Sequence, residues 1–251
     1  MNSTNRAAIV TGASRGIGAA CARALGAAGY AVCVNHRSSG DDAAAVVASI
    51  VAAGGRAIAV AADTANESDV RRMFEAVDRE LGTLAVLVNN AGIIGSKTRV
   101  ADIDAAMLRQ VLETNVVGYF VCAREAIRRM STAAGGAGGA IVNISSRAAA
   151  LGSPNEWVHY AASKGAVDTF TIGLAREVGG EGIRVNAVRP GLIDTEIHAR
   201  SGDPERPNRM RAAIPFGRVG TAEEVAAAVL FLATDASSYV GGALLDVGGA
   251  R

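Results

Sequence analysis

The stretch Ala7-Ala-Ile-Val-Thr-Gly-Ala-Ser-Arg-Gly-Ile-Gly18 joins an apolar run to a glycine turn, and an alanine-rich helical pattern follows it. Strand, turn and helix in that order form a phosphate-binding βα unit. The glycines let the backbone approach a pyrophosphate, and the helix N-terminus offers unpaired N–H groups and the positive end of its dipole. The spacing is G-x-x-x-G-x-G over Gly12, Gly16 and Gly18, not the G-x-G-x-x-G of the commoner dinucleotide fingerprint. Downstream, β-rich runs near 6–11, 31–35, 57–61, 85–89, 139–145, 183–188 and 242–246 alternate with longer helical patterns. Such alternation predicts right-handed βαβ crossovers and a parallel sheet covered on both faces.

The expected fold is therefore α/β: a doubly wound Rossmann fold, with a seven-stranded parallel sheet and helices on both faces. The chain has 251 residues, half of them apolar, which suits one domain over 1–251 with one large core. Its net charge of +1 with both signs scattered excludes the charge blocks that bind nucleic acid or membrane surfaces, so the expected partner is a small molecule. No run of eighteen apolar residues occurs and residues 1–6 are polar, which leads us to expect a cytoplasmic protein. Cys21, Cys33 and Cys122 are far apart in apolar surroundings, and His36, His159 and His198 are dispersed, so no metal site or disulfide framework is expected. Ala134 to Gly139 reads as a surface loop. Residues 195–217, with three prolines and two glycines, read either as an active-site lid or as a surface excursion.

Tyr160-Ala-Ala-Ser-Lys164 carries the chemistry, because residues four apart share a helix face. A phenol titrates near ~10 and is a poor acid or base at neutrality, but an adjacent ammonium favours the phenolate. Of the 25 basic residues 23 are arginine and only Lys97 and Lys164 are lysine, so lysine is not this chain's default cation. A compact ammonium can reach both a phenolic oxygen and a ribose hydroxyl, which a planar guanidinium does less well.

At these residues the chain resembles the short-chain dehydrogenase/reductases from end to end. The resemblance rests on Thr11 to Gly18, Asp63, Asn89-Asn90-Ala91-Gly92, Asn115, Ser146, Tyr160-x-x-x-Lys164, and Pro190-Gly191 followed by Thr195. Val158 to Gly165 and Gly182 to Asn186 look most like bacterial glucose-type sugar dehydrogenases. The resemblance implies that Tyr160 exchanges a proton with the substrate oxygen while nicotinamide exchanges a hydride with the carbon. Ser146 would hydrogen-bond that oxygen, with Ser145 the neighbouring candidate, since the family's serine usually lies about thirteen residues before the tyrosine. Lys164 would hold the nicotinamide ribose, and Asn115 would anchor a proton-relay water or act as a polar bridge at a helix bend.

The cofactor site so implied comprises Gly12, Ser14, Arg15, Gly16, Ile17 and Gly18 at the pyrophosphate and Asp63 and Thr64 at the adenine. Asn89, Ala91 and Gly92 would lie along the ribose, with Pro190, Gly191, Ile193 and Thr195 around the carboxamide; Tyr160 and Lys164 complete it. Asp63 is equally a candidate helix cap. Where NAD-specific relatives place a carboxylate, this chain has Asn35-His36-Arg37. With Arg15, two guanidiniums could flank a 2'-phosphate, so NADP(H) is expected over NAD(H). Trp157 reads as a sugar-stacking platform or as packing, with Asn155 and Glu156 as candidate hydroxyl contacts. The implied function is an oxidoreductase interconverting a carbonyl and a secondary alcohol, with a sugar or polyol as the candidate substrate. The rivals are a 3-oxoacyl-carrier-protein reductase and, in another class, a non-catalytic cofactor-binding sensor. The helices at 102–130 and 157–178 resemble those that pair subunits in this family, commonly as homotetramers.

Overall fold

A computed structural model describes residues 6–196, 203, 205 and 209–251. Seven strands form one parallel sheet in the order β3-β2-β1-β4-β5-β6-β7. They are β1 (Arg6–Val10), β2 (Ala31–His36), β3 (Arg56–Ala61), β4 (Thr83–Asn89), β5 (Gly139–Ile144), β6 (Ile183–Pro190) and β7 (Leu244–Val247). Each starts and ends within three residues of its expected run. The chain leaves β1 in one direction and resumes at β4 on its other side, so a crevice opens at the carboxyl ends of these two strands.

Two helical layers cover the sheet. Helices α1 (Gly16–Ala27), α2 (Gly40–Ala52) and α8 (Ala222–Ala233) pack on one face. On the other lie α3 (Glu67–Glu80), α5 (Gly118–Met130) and α7 (Val158–Val178), while α4 (Ala105–Leu112) and the short α6 (Ala148–Leu151) flank the crevice. Strand alternation divides the core between the layers: Ala8, Val10, Val32 and Val34 pack with Leu25, Ile50 and Leu232, whereas Ala7, Ile9, Ala31 and Cys33 pack with Met73, Phe74 and Met130. Each large side chain so buried contributes roughly 1.5–3 kcal/mol.

The helix expected over 102–130 is not continuous. A 3-10 turn over Val100–Asp102 and a break at Ile103 and Asp104 precede α4, and a π-helical segment, Glu113–Val117, separates α4 from α5. The cysteines are fully enclosed, as their apolar neighbours in sequence suggest, and burial pushes the thiols of Cys21 and Cys122 up to about 12. Among the described residues no helix is long and apolar enough to cross a membrane.

Candidate active site

The turn after β1 is built around glycines whose substitution the backbone forbids. Gly12 has φ 61°, and a Cβ there would lie 2.9 Å from Ala91 Cα; a Cβ on Gly18 would overlap the Gly12 carbonyl oxygen. The Thr11 hydroxyl accepts from Asn90 N (2.9 Å) and Ala91 N (3.0 Å), while Asn90 Nδ2 donates to the carbonyls of Thr11 (2.8 Å) and Gly12 (3.0 Å). These bonds lock the turn to the end of β4. The first turn of α1 has neither an acidic side chain nor a side-chain cap, so its N–H groups remain for a ligand. Ile17 packs back on the core, and Thr195 Cγ2 stands 3.4 Å from where a Gly16 Cβ would be, which brings the segment after β6 onto the same turn.

At the end of β2 the structure divides residues that the sequence groups together. Asn35 is enclosed: its Oδ1 accepts from Gly12 N (3.1 Å) and its Nδ2 donates to Val60 O (3.2 Å) and Ala62 O (3.0 Å). It braces the glycine turn against β3 and does not face the cleft. Arg15 reaches across to the N-terminus of α2, bonding the Ser39 hydroxyl and pairing with Asp42 (3.1 Å) and Glu196 (3.4 Å). Arg37 is mostly exposed, 4.0 Å from Asp63, and His36 lies half-buried beside Gly40. Asp63 Oδ1 accepts from Ala65 N (3.0 Å), but the cap of α3 is Asn66, which accepts from Ser68 N and Asp69 N. Thr64 is buried against Gly118. Asn89 is buried as well, donating to Asn143 Oδ1 (3.0 Å), whose own amide donates to Thr171 Oγ1 (2.9 Å); this polar chain underlies the crevice and does not line it.

The catalytic candidates converge where β4 and β5 end. Lys164 is buried, and its ammonium donates to Ile144 O (2.7 Å) and to the Tyr119 hydroxyl (3.2 Å), 5.8 Å from the centre of the Tyr160 ring. Burial depresses its pKa to about 7, with Asp168 opposing the shift. Asn115, in the π-helical segment, accepts from Ile93 N (2.8 Å) and donates to Ile93 O (2.8 Å) and Ser163 Oγ (3.0 Å). The π turn thus frees the amide to bridge the loop after β4 to α7, which is the bridging reading of this residue. Gly92 lies between Asn115 and Lys164, since a Cβ there would be 3.2 Å from Asn115 Oδ1 and 3.6 Å from Lys164 Nζ. The two serines separate: Ser145 is buried and donates to Lys164 O (3.2 Å), while Ser146 is partly exposed and accepts from Ala148 N (3.0 Å). Ser146 is the serine with access to the cleft.

Pro190 ends β6, and Gly191 passes so close to Gly248 that a Cβ would meet its Cα at 2.6 Å. Ile193 is buried and bridges Gly220. Of the expected lid, residues 197–202, 204 and 206–208 lie outside the described residues. Trp157 is 2% exposed, so the packing reading holds and the sugar-stacking one does not; Lys97 lies over its ring and pairs with Glu156 (3.2 Å).

The family model described as "Enoyl-(Acyl carrier protein) reductase" matches residues 12–249. The chain is a short-chain dehydrogenase/reductase. It is 51% identical to the uncharacterized oxidoreductase YgfF of Escherichia coli (strain K12), over 97% of this chain and 99% of that one. It is 42% identical to the cis-4-hydroxycyclohexanecarboxylate dehydrogenase of Sinomonas cyclohexanicum, over 97% and 95%. Among solved structures, a blue fluorescent protein from a metagenomic library in complex with NADPH superposes with a TM-score of 0.89 at 35% identity, covering 100% and 99% of the two chains. Membership makes the protein an oxidoreductase.

In this dehydrogenase/reductase the residue most clearly missed by the sequence reading is Tyr119, whose hydroxyl accepts from Lys164 and donates to Ile144 O (3.0 Å). A signal existed: Tyr119 follows Asn115 by four residues and so falls near the same helix face. Asn143 and Thr171, the polar chain beneath the crevice, lie in apolar runs where only pairing across elements gives them meaning.

Proposed function

We propose that the protein interconverts a ketone and a secondary alcohol on a small molecule in the cytoplasm, with NADP(H) as the preferred cofactor. The observation that supports this best is the enclosed Lys164 ammonium beside the Tyr160 ring, at the carboxyl edge of the sheet. The cradle fits a dinucleotide, because Gly12 and Gly18 allow a turn too tight for any Cβ, which lets its backbone approach a pyrophosphate, and α1 presents free N–H groups. Ser14, Arg15 and Ile17 would complete the pyrophosphate turn; Asp63, Thr64, Ala91 and Gly92 would line the adenosine; Pro190, Gly191, Ile193 and Thr195 would close over the carboxamide. When bound, the nicotinamide would supply or accept the hydride.

The remaining chemistry belongs to the protein. In reduction, Tyr160 gives its phenolic proton to the substrate oxygen; in oxidation it takes that proton back. Lys164, when charged, stabilises the phenolate left behind, and Ser146 donates to the substrate oxygen as negative charge grows there. Asn115 holds the loop after β4 against α7, keeping Gly92 and Lys164 in register. Arg15, Arg37 and the Ser39 hydroxyl at the start of α2 would receive the 2'-phosphate, which must displace Asp42 and Glu196 from Arg15. This site favours NADPH without forbidding NADH. Arg37→Ala should narrow the ratio of NADPH to NADH affinity several-fold, and an unchanged ratio, measured by fluorescence titration with both cofactors, would remove that assignment.

An acyl-carrier protein is a poorer candidate substrate. It is acidic and would need free basic residues at the rim, yet Arg128 pairs with Glu125, Arg129 with Glu125 and Asp78, and Arg147 with Asp246. The decisive experiment follows NADPH absorbance with a panel of cyclic and acyclic secondary alcohols, sugars and the matching ketones, in parent and Tyr160→Phe. Turnover that falls by roughly 10²–10⁴-fold or more in Tyr160→Phe, with NADPH affinity retained, supports the reading. Equal turnover in both proteins removes Tyr160 from the chemistry, and tight NADPH binding with no turnover across the panel favours a sensor.

A further inference from the structure

Behind the active site a row of alternating charges runs from the end of the chain to the helix that carries Lys164. Arg147 Nε donates to Arg251 O (2.7 Å) and its Nη1 to Asp246 Oδ2 (2.6 Å). Asp246 Oδ1 accepts from Arg189 Nε (2.5 Å), and Arg189 Nη1 lies 3.5 Å from Asp168 Oδ2. Four elements contribute: the segment after β5, β7, β6 and α7. The row ends at Asp168, whose side chain is only 13% exposed and which lies four residues, about one turn, beyond Lys164 on α7.

We propose that Asp168 is a positioning residue that favours the charged form of Lys164, and that the row of ion pairs behind it holds its carboxylate in place. Among the described residues no carboxylate lies within ion-pair distance of Lys164. The ammonium instead meets Ile144 O and Tyr119 of α5, with the Tyr160 ring on α7 near it and Asn115 Oδ1 across Gly92. All these groups are neutral while the phenols keep their protons, so none offsets the cost of enclosing a charge. Asp168 acts from further away, and its negative charge, when ionised, favours the ammonium. The groups facing Asp168 are Arg189 from β6, the Ser145 hydroxyl after β5, and Asp246 from β7 behind Arg189. Burial pushes its carboxyl up, and the Arg189 guanidinium beside it opposes that shift. Ser145 donates to Lys164 O, which ties the segment after β5 to the helix that carries both Lys164 and Asp168.

The consequence for turnover rests on the role proposed above for Lys164; the charge coupling itself does not. The chain has only two lysines, so protein grown with ¹³C-lysine gives two lysine side-chain signals, assigned by Lys97→Arg. The ¹³Cε shift followed from pH 5 to 10 reads the Lys164 titration directly, without substrate or cofactor. We expect Asp168→Asn to lower its midpoint by about half a unit or more. Asp168→Glu should stay near the parent value, and Asp246→Asn should shift it by less than half as much as Asp168→Asn. Should Asp168→Asn fail to fold, Asp168→Ala replaces it with the same expectation. A midpoint unmoved in the folded variant, or moved equally by Asp246→Asn, overturns the proposal. NADPH affinity measured over the same pH range separates the two claims: a shifted lysine titration with unchanged pH dependence of NADPH binding leaves the coupling standing and counts against the role given to Lys164.

Discussion

Lys164 is enclosed with two acceptors for its ammonium, the Ile144 carbonyl and the Tyr119 hydroxyl, and burial lowers its pKa from the usual 10.5 to about 7. A pKa lowered by folding means that the unfolded chain binds the proton more tightly than the native one. Below about pH 7 both states are protonated and the native state carries the full cost of the enclosed charge. Between about 7 and 10.5 the native lysine is neutral while the unfolded one is not, so this group makes stability rise with pH across that window. Lys164→Met should therefore melt higher than the parent at pH 6, by roughly 2–4 °C for each kcal/mol of charge burial relieved. The gain should shrink at pH 9, because the parent lysine no longer carries its charge there. Ile144 O keeps its bond from Tyr119, so the substitution strands no acceptor. Melting curves of both proteins at pH 6 and 9 decide this, and a variant that is less stable at both values would show that the lysine's hydrogen bonds outweigh its desolvation. Stability given up at one side chain is the expected signature of a functional position.

At the scale of elements, two glycines in helices separate shape from function. Gly18 in α1 has no room for a Cβ, which would overlap Gly12 O and come within 2.9 Å of Ala13 Cα, whereas Gly173 in α7 meets nothing within 4 Å. Gly18→Ala should cost roughly 1–3 kcal/mol and open the turn where a pyrophosphate would lie, while Gly173→Ala should add up to about 1 kcal/mol through helix propensity. Thermal melts with and without NADPH check both, and equal effects of the two substitutions would contradict the crowding at Gly18. Elements of this kind were the legible part of the sequence, since apolar runs and glycine turns are local signals; all seven strands lie where the alternation put them. What escaped depends on contacts between distant segments. Asn35 looked like a cofactor ligand because of its place at the end of β2, yet its amide is used up by Gly12 and two β3-side carbonyls. The π turn at Glu113–Val117 has no local signature, and its reason becomes visible only through the bridge from Asn115 to Ile93 and Ser163.

At the scale of the whole molecule, the doubly wound sheet gathers residues from the ends of β1, β4, β5 and β6 at one edge. On the outer surface of α5 and α7, Phe120 is 50% exposed and its ring lies 4.0 Å from that of Phe170, with Val117 one turn away and also exposed. An aromatic pair on two adjacent helices suits a two-fold contact in which the same patch meets itself. In the homotetramer that the family resemblance implies, this face would pair subunits. Covering the exposed half of each Phe120 contributes about 1 kcal/mol and a two-fold contact covers it twice, so Phe120→Glu should weaken association by roughly tenfold or more. Light scattering on a sizing column should give a mass several times the 25.4 kDa chain for the parent and a smaller species for the variant, with the far-ultraviolet circular dichroism unchanged. A monomeric parent would end the proposal, and a variant that stays tetrameric would move the contact to another face. Because α7 also carries Tyr160, Lys164 and Asp168, a variant that dissociates should lose turnover only as far as the helix loosens without its partner, which comparing the Lys164 titration in the two species would measure.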